Sequence, residues 1–82
     1  MQVIITPKAE KQYKQLPKPE QTKIKRKLLA LEIDSFLGKK LAGELSALYS
    51  LRAWPYRIFY YIDESEQKIY ITSILHRQGA YK

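Results

Sequence analysis

Three arginines, one histidine and one tyrosine set the chemistry open to this chain. Arg52, Arg57 and Arg77 fall on three adjacent stretches that read as strands or strand ends. Each guanidinium offers a planar fork of N–H donors suited to phosphate oxygens. Taken singly, each reads as a salt-bridge partner or a snorkelled surface side chain. Taken together, on stretches that hold no acid to pair them, they point to an anion site. The single histidine, His76, directly precedes Arg77, and Tyr81 follows close behind. A histidine with an unperturbed pKa near ~6.5 can give or take a proton at cellular pH; its plainer role is a polar residue at a strand end. A tyrosine, with a reference pKa of ~10, acts as a base only beside positive charge, which three arginines supply. Otherwise Tyr81 simply packs on the sheet.

If the anion is RNA, the reaction that needs no metal is attack of a 2′-hydroxyl on the adjacent phosphate. It requires a base for the hydroxyl, cations for the charged phosphorane and a donor for the leaving oxygen. His76 or Tyr81 can act as base or acid, and Arg57 and Arg77 can stabilise the transition state. Arg52, Lys39 and Lys40 extend the candidate RNA-binding surface. Trp54, Tyr56 and Tyr61 can stack unpaired bases. The competing use of these aromatics is to fill a thin core.

The elements that must position these residues follow from the pattern. Val3-Ile4-Ile5 is a β-branched run and predicts a first strand. Thr6-Pro7 predicts a helix start, with Thr6 as N-cap. Ala9, Tyr13 and Leu16 recur on one face of that helix. Pro17-Lys18-Pro19 breaks it and opens a second, from about Pro19 to Ile33, with Ile24, Leu28 and Leu31 as the buried stripe. Lys23, Lys25, Arg26 and Lys27 coat the rest, either as a solvated face or as a track for a phosphate backbone. Asp34 to Glu44 reads as a loop punctuated by Gly38 and Gly43, exposing Lys39 and Lys40. Three strands follow: Leu48 to Trp54, Tyr56 to Ile62 and Lys68 to Leu75, with turns at Pro55 and at Asp63 to Gln67. Tyr56 to Ile62 is apolar or aromatic on both faces, which predicts the centre of the sheet. Arg52 and Arg57 share a side if the turn at Pro55 has an even residue count, and are separated by an odd turn or a bulge.

The expected fold class is therefore α+β, a single domain over residues 1–82 in the order β-α-α-β-β-β. The sheet is antiparallel-rich, with both helices on one face. With no cysteine and one histidine, a disulfide framework or a zinc site is not expected, nor is any cofactor. No apolar stretch approaches the ~20 residues needed to span a bilayer. The first residues, Met1-Gln2-Val3-Ile4-Ile5, lack a basic region followed by a long apolar segment, and a cytoplasmic protein without a membrane partner is expected. The formal net charge of +7 favours polyanionic partners. The three acids of the C-terminal part, Asp63, Glu64 and Glu66, sit together in one expected turn.

The run Leu41-Ala42-Gly43-Glu44-Leu45-Ser46-Ala47-Leu48-Tyr49-Ser50-Leu51-Arg52, the strand Tyr56-Arg57-Ile58-Phe59-Tyr60-Tyr61-Ile62-Asp63 and the ending Ile74-Leu75-His76-Arg77 with Tyr81 resemble the RelE/ParE superfamily of toxin–antitoxin toxins. The resemblance covers essentially the whole chain. It implies a compact microbial ribonuclease fold. Its RelE-type members cleave mRNA in the ribosomal A site without metal and are held inactive by an antitoxin; its ParE-type members poison DNA gyrase. By this resemblance Arg57 contacts the scissile phosphate, Arg77 stabilises the transition state or leaving group, Tyr81 stacks on a base, and His76 lies where other members place a lysine or histidine. An acidic, partly helical antitoxin is the implied partner, with mRNA and the ribosome as target.

Two departures bear on mechanism. Many RelE-type members carry lysines on the strand before the arginine pair, one acting as base; the matching positions here are Leu48 and Ser50. The base is then His76, Tyr81, Lys39 or Lys40. The chain also ends without an expected C-terminal helix after the sheet. The expectation is a RelE-like endoribonuclease that inhibits translation. The alternatives are a ParE-like gyrase inhibitor or an inert member that only binds its antitoxin or RNA.

Overall fold

A computed structural model describes residues 1–41 and 47–80, with the side chains of residues 79 and 80 left aside. Gly43, Glu44, Leu45 and Tyr81 lie outside the described residues. The described elements are β1 (Gln2–Ile5), α1 (Pro7–Lys14), α2 (Lys18–Ile33), β2 (Lys39–Lys40), β3 (Tyr49–Ala53), β4 (Tyr56–Asp63), β5 (Lys68–His76) and a single helical turn, α3 (Arg77–Ala80). They form one five-stranded sheet in the order β1-β5-β4-β3-β2, with β1 parallel to β5 and every other pairing antiparallel. β4 is the central strand, as its two apolar faces predict.

Both helices begin where the prolines put them. Thr6 Oγ1 accepts from Ala9 N–H at 3.5 Å and donates to the Ile71 carbonyl at 2.7 Å. The cap of α1 is thus also a tie to β5. Ala9, Ile24, Leu28 and Leu31 pack onto Leu51, Ala53, Ile58, Tyr60, Ile69, Ile71 and Ile74 of the sheet. This single buried layer between helices and sheet supplies the hydrophobic stabilisation.

Two elements differ from the sequence expectation. Lys39 and Lys40, expected in a loop, form β2 and pair with Ser50 and Tyr49. The cause lies in Tyr60, whose hydroxyl accepts from Gly38 N–H at 2.9 Å and donates to the Ser35 carbonyl at 3.2 Å. This clasp holds the 35–38 segment against the sheet, and the chain leaving it meets the open backbone edge of β3. A Cβ on Gly38 would lie 2.6 Å from the Tyr60 hydroxyl and 2.8 Å from the Ser50 carbonyl, so the close approach requires glycine. The second difference is α3: one helical turn does follow the sheet. Its first N–H, from Arg77, donates to the Pro55 carbonyl at 2.7 Å.

One irregularity decides which side chains share a face. The register of β4 and β5 slips between Phe59 and Tyr60, leaving Thr72 as the extra residue on β5. Thr72 Oγ1 donates to the Phe59 carbonyl at 3.1 Å, and Ile74 N–H finds Gln12 Oε1 of α1 at 2.7 Å. The bulge explains why Ile71 and Ile74, an odd spacing apart, both enter the core.

Candidate functional site

The β3–β4 turn consists of Trp54 and Pro55 alone, so Arg52 pairs directly with Arg57 in the register. This is the even count under which the two arginines share a side. Side chains alternate along a strand. Leu51 and Ile58 take the helix-covered face, and Arg52, Arg57, Ser50 and Phe59 take the open one. Lys39, opposite Ser50, joins them. Leu37, Lys39, Ser50, Leu51, Arg52 and Arg57 line a cavity of about 240 Å³ with no carboxylate among its lining residues.

Arg57 is held in this cavity by a hydrogen bond from Nη1 to Ser50 Oγ at 3.1 Å. Ser50 is nearly buried, although it faces the side without helices. It occupies a position where the resemblance leads one to expect a lysine, and what it contributes instead is an acceptor for the guanidinium. The sequence marks position 50 only as one that lacks the expected lysine. Its place two residues before Arg52, on the same strand face, was the signal available.

Beside the cavity stands Trp54, 53% exposed on the turn. The guanidinium carbons of Arg52 and Arg77 lie over its ring, 5.0 and 5.1 Å from the centroid. Lys23 of α2 donates from Nζ to the Trp54 carbonyl at 2.8 Å. No pattern in the sequence pairs Lys23 with this turn; the contact exists because α2 crosses the sheet beneath it. Arg52, Arg57, Arg77, Lys39 and Trp54 are thus gathered at one end of the sheet.

The structure does not bring His76 to the same face. His76 pairs with Tyr56 in the register, while Arg57 pairs with Leu75. The His76 ring meets Tyr56 edge-on at 5.4 Å, and Tyr56 is half-buried against the core. Both therefore lie on the helix-covered side of the strands, where Tyr56 presents less of its ring than Trp54 does. Without the bulge at Thr72 the pairing would shift by one residue, and His76 would face the same way as Arg57. His76 Nδ1 accepts from Gln78 N–H at 3.3 Å, which in the neutral ring leaves the proton on Nε2. Lys40, on β2, has the opposite facing to Lys39 and lies outside the cavity.

A model of the ParE toxin of type II toxin–antitoxin systems matches residues 3–81. The chain belongs to the RelE/ParE superfamily of toxins. The toxin RelE of Mycobacterium tuberculosis is 37% identical over 46 residues, 56% of this chain and 47% of that protein. The match spans about half the length of this curated relative. In the RelBE2 toxin–antitoxin complex of Mycobacterium tuberculosis, the similar chain superposes with a TM-score of 0.86 at 27% identity, over 93% of this chain and 96% of the other. The YoeB dimer of Staphylococcus aureus gives 0.71 at 28%, over 89% and 92%. The archaeal RelE–RelB complex of Pyrococcus horikoshii gives 0.77 at 23%, over 96% and 97%, a likeness of fold. Among the described residues, no helix is long and apolar enough to cross a membrane.

Proposed function

We propose that this RelE/ParE-superfamily toxin is a metal-independent endoribonuclease that cuts mRNA at the ribosome. The observation that carries this reading is the register pairing of Arg52 with Arg57 over a cavity lined also by Lys39, with Arg77 beside it on Trp54. A phosphodiester seated there meets several charge-assisted donors in a geometry the sheet has already set. The 2′-oxygen attacks phosphorus, and the bond to the 5′-oxygen breaks, which leaves a cyclic phosphate and a free 5′-hydroxyl. Arg57 and Arg77 neutralise the added charge in the transition state. Arg77 also steadies the departing oxygen, which takes its proton from water. Lys39 or Tyr81 accepts the proton of the 2′-hydroxyl. His76 faces the opposite way from Arg57 and takes no part in the step at this phosphate.

The partner in this reading is an acidic antitoxin. The formal net charge of +7 supports it, as do the toxin–antitoxin complexes among the structural relatives. Arg57→Ala is expected to relieve growth arrest and lower cleavage by roughly 10²–10³ while the thermal unfolding midpoint stays put. Cleavage that survives Arg57→Ala together with Arg77→Ala would place the site elsewhere.

A second reading, inhibition of DNA gyrase without any cleavage, is favoured by two observations. The family model that matches is the ParE one, and positions 48 and 50 hold leucine and serine. Inhibited supercoiling by gyrase with mRNA left intact would replace the ribonuclease reading with this one.

A further inference from the structure

Trp54 is the chain's single tryptophan, yet it sits half in solvent on a two-residue turn. Its backbone is tied from two sides. Lys23 Nζ reaches its carbonyl at 2.8 Å, and Arg77 N–H reaches the next carbonyl, that of Pro55, at 2.7 Å. The ring itself meets guanidiniums from β3 and α3, whose sequence positions lie on either side of two whole strands. Arg52 and Arg77 therefore stay within about one Debye length of each other, ~10 Å at 0.1 M salt, where like charges repel. The negative face of an indole offsets that repulsion better than any other aromatic side chain.

We propose that Trp54 is a positioning residue: its ring holds Arg52 and Arg77 together as a preformed dication for the oxygens of a phosphate group. This rests on the anion-site reading above and adds what assembles the site. In a flexible pair of arginines, each phosphate encounter would have to order both side chains and overcome their repulsion. With Trp54 in place, both costs are met before the ligand arrives. The role differs from base stacking, because a ring that already carries guanidiniums serves the phosphate rather than the base. An incoming phosphate draws the arginines toward its oxygens, so the indole changes surroundings on binding.

The test uses inorganic tripolyphosphate, which has no base to stack, and calorimetry on the full chain. Trp54→Leu is expected to weaken binding about three- to tenfold, and Trp54→Phe, which keeps an aromatic face, to recover part of that loss. The losses from Trp54→Leu and Arg77→Met are expected to be less than additive when combined. Trp54 emission in the unmodified chain shifts as tripolyphosphate is added. Unfolding midpoints for each variant separate misfolding from lost positioning. The proposal is overturned if Trp54→Leu binds tripolyphosphate as tightly as the unmodified chain. It is also overturned if Trp54→Phe is as weak as Trp54→Leu at an unchanged midpoint. A third contrary result is loss of affinity for a single-stranded RNA oligomer alone, which would make the ring a base platform. RNA cleavage by the unmodified chain is measured in parallel. Its absence would sink the ribonuclease reading, whereas cleavage with Trp54 variants behaving like the unmodified chain would sink only this inference.

Discussion

Arg57 is the side chain on which the candidate site turns, and Ser50 holds it. The Nη1 to Oγ bond of 3.1 Å joins a guanidinium to a hydroxyl that is itself nearly buried. Removing the hydroxyl leaves the charge in place and loosens its aim. Ser50→Ala is expected to lower cleavage about threefold to tenfold, matching the loss of one modest hydrogen bond, with Arg57→Ala far more damaging; steady-state kinetics on a short RNA would show the order. Equal damage from both would mean that Ser50 acts as more than an acceptor. The pairing of Arg52 with Arg57 was left open by the sequence, because a strand ending at Trp54 gives an odd turn and one ending at Ala53 an even turn; the observed end at Ala53 decides it. The facing of His76 was not legible either, because it depends on a bulge at Thr72. Only the slip in core spacing, from Ile69 and Ile71 to Ile74, hints at that bulge in the sequence. Lys39 was legible as a cationic residue, and its place on the cavity wall became clear only with β2 in the sheet.

The elements that hold the site depend on two side-chain clasps that no local pattern announces. Gln12 of α1 satisfies the N–H of Ile74 beside the bulge, and the Tyr60 hydroxyl fastens the 35–38 segment that leads into β2. Helix starts at Thr6-Pro7 and Pro17-Lys18-Pro19, and the stripe Ile24, Leu28, Leu31, are readable because they are local. A clasp between residues 22 positions apart is a tertiary event, so β2 read as loop. Burial pushes the Tyr60 hydroxyl pKa above the ordinary tyrosine value, against the pull of the Gly38 hydrogen bond. The folded state thus prefers the neutral phenol. Its contribution is complete below the unfolded tyrosine pKa of ~10 and is lost as pH rises through the higher folded value. Denaturant unfolding followed against pH is expected to show stability falling above about pH 10, with that part of the slope absent in Tyr60→Phe. Tyr60→Phe is also expected to cost roughly 1–3 kcal/mol at neutral pH, because Gly38 N–H loses its partner. A variant with unchanged neutral-pH stability would contradict the clasp.

At the scale of the molecule, charge is sorted along the strands. Arg52, Arg57 and Arg77 gather at the Trp54–Pro55 end of β4, while Asp63, Glu64 and Glu66 occupy the turn at its other end. β4 runs eight residues, which separates the two by roughly 20 Å. The acidic turn is ordered locally: Asp63 Oδ1 accepts from Ser65 Oγ at 2.7 Å and from Glu66 N–H at 3.2 Å, and Lys68 pairs with Glu66 at 3.2 Å. In the proposed reading, this sorting directs an RNA strand to one end. If the three arginines each engage a phosphate, the logarithm of its affinity should fall against that of salt with a slope of roughly −2. Titrations from low to physiological salt would show it, and a slope near zero would argue against a phosphate site. The whole-chain fold class and the superfamily were readable because order, spacing and the arginine-bearing strands persist across the chain. The division of labour between ribonuclease and gyrase inhibitor was not, because it turns on a proton acceptor that positions 48 and 50 do not supply.

That division is tested most directly by mapping mRNA 5′ ends by primer extension after induced expression, with Arg57→Ala expressed in parallel. Discrete new ends within coding sequence, absent from the Arg57→Ala strain, are what the account predicts. Growth arrest with every transcript intact and gyrase supercoiling blocked would contradict it.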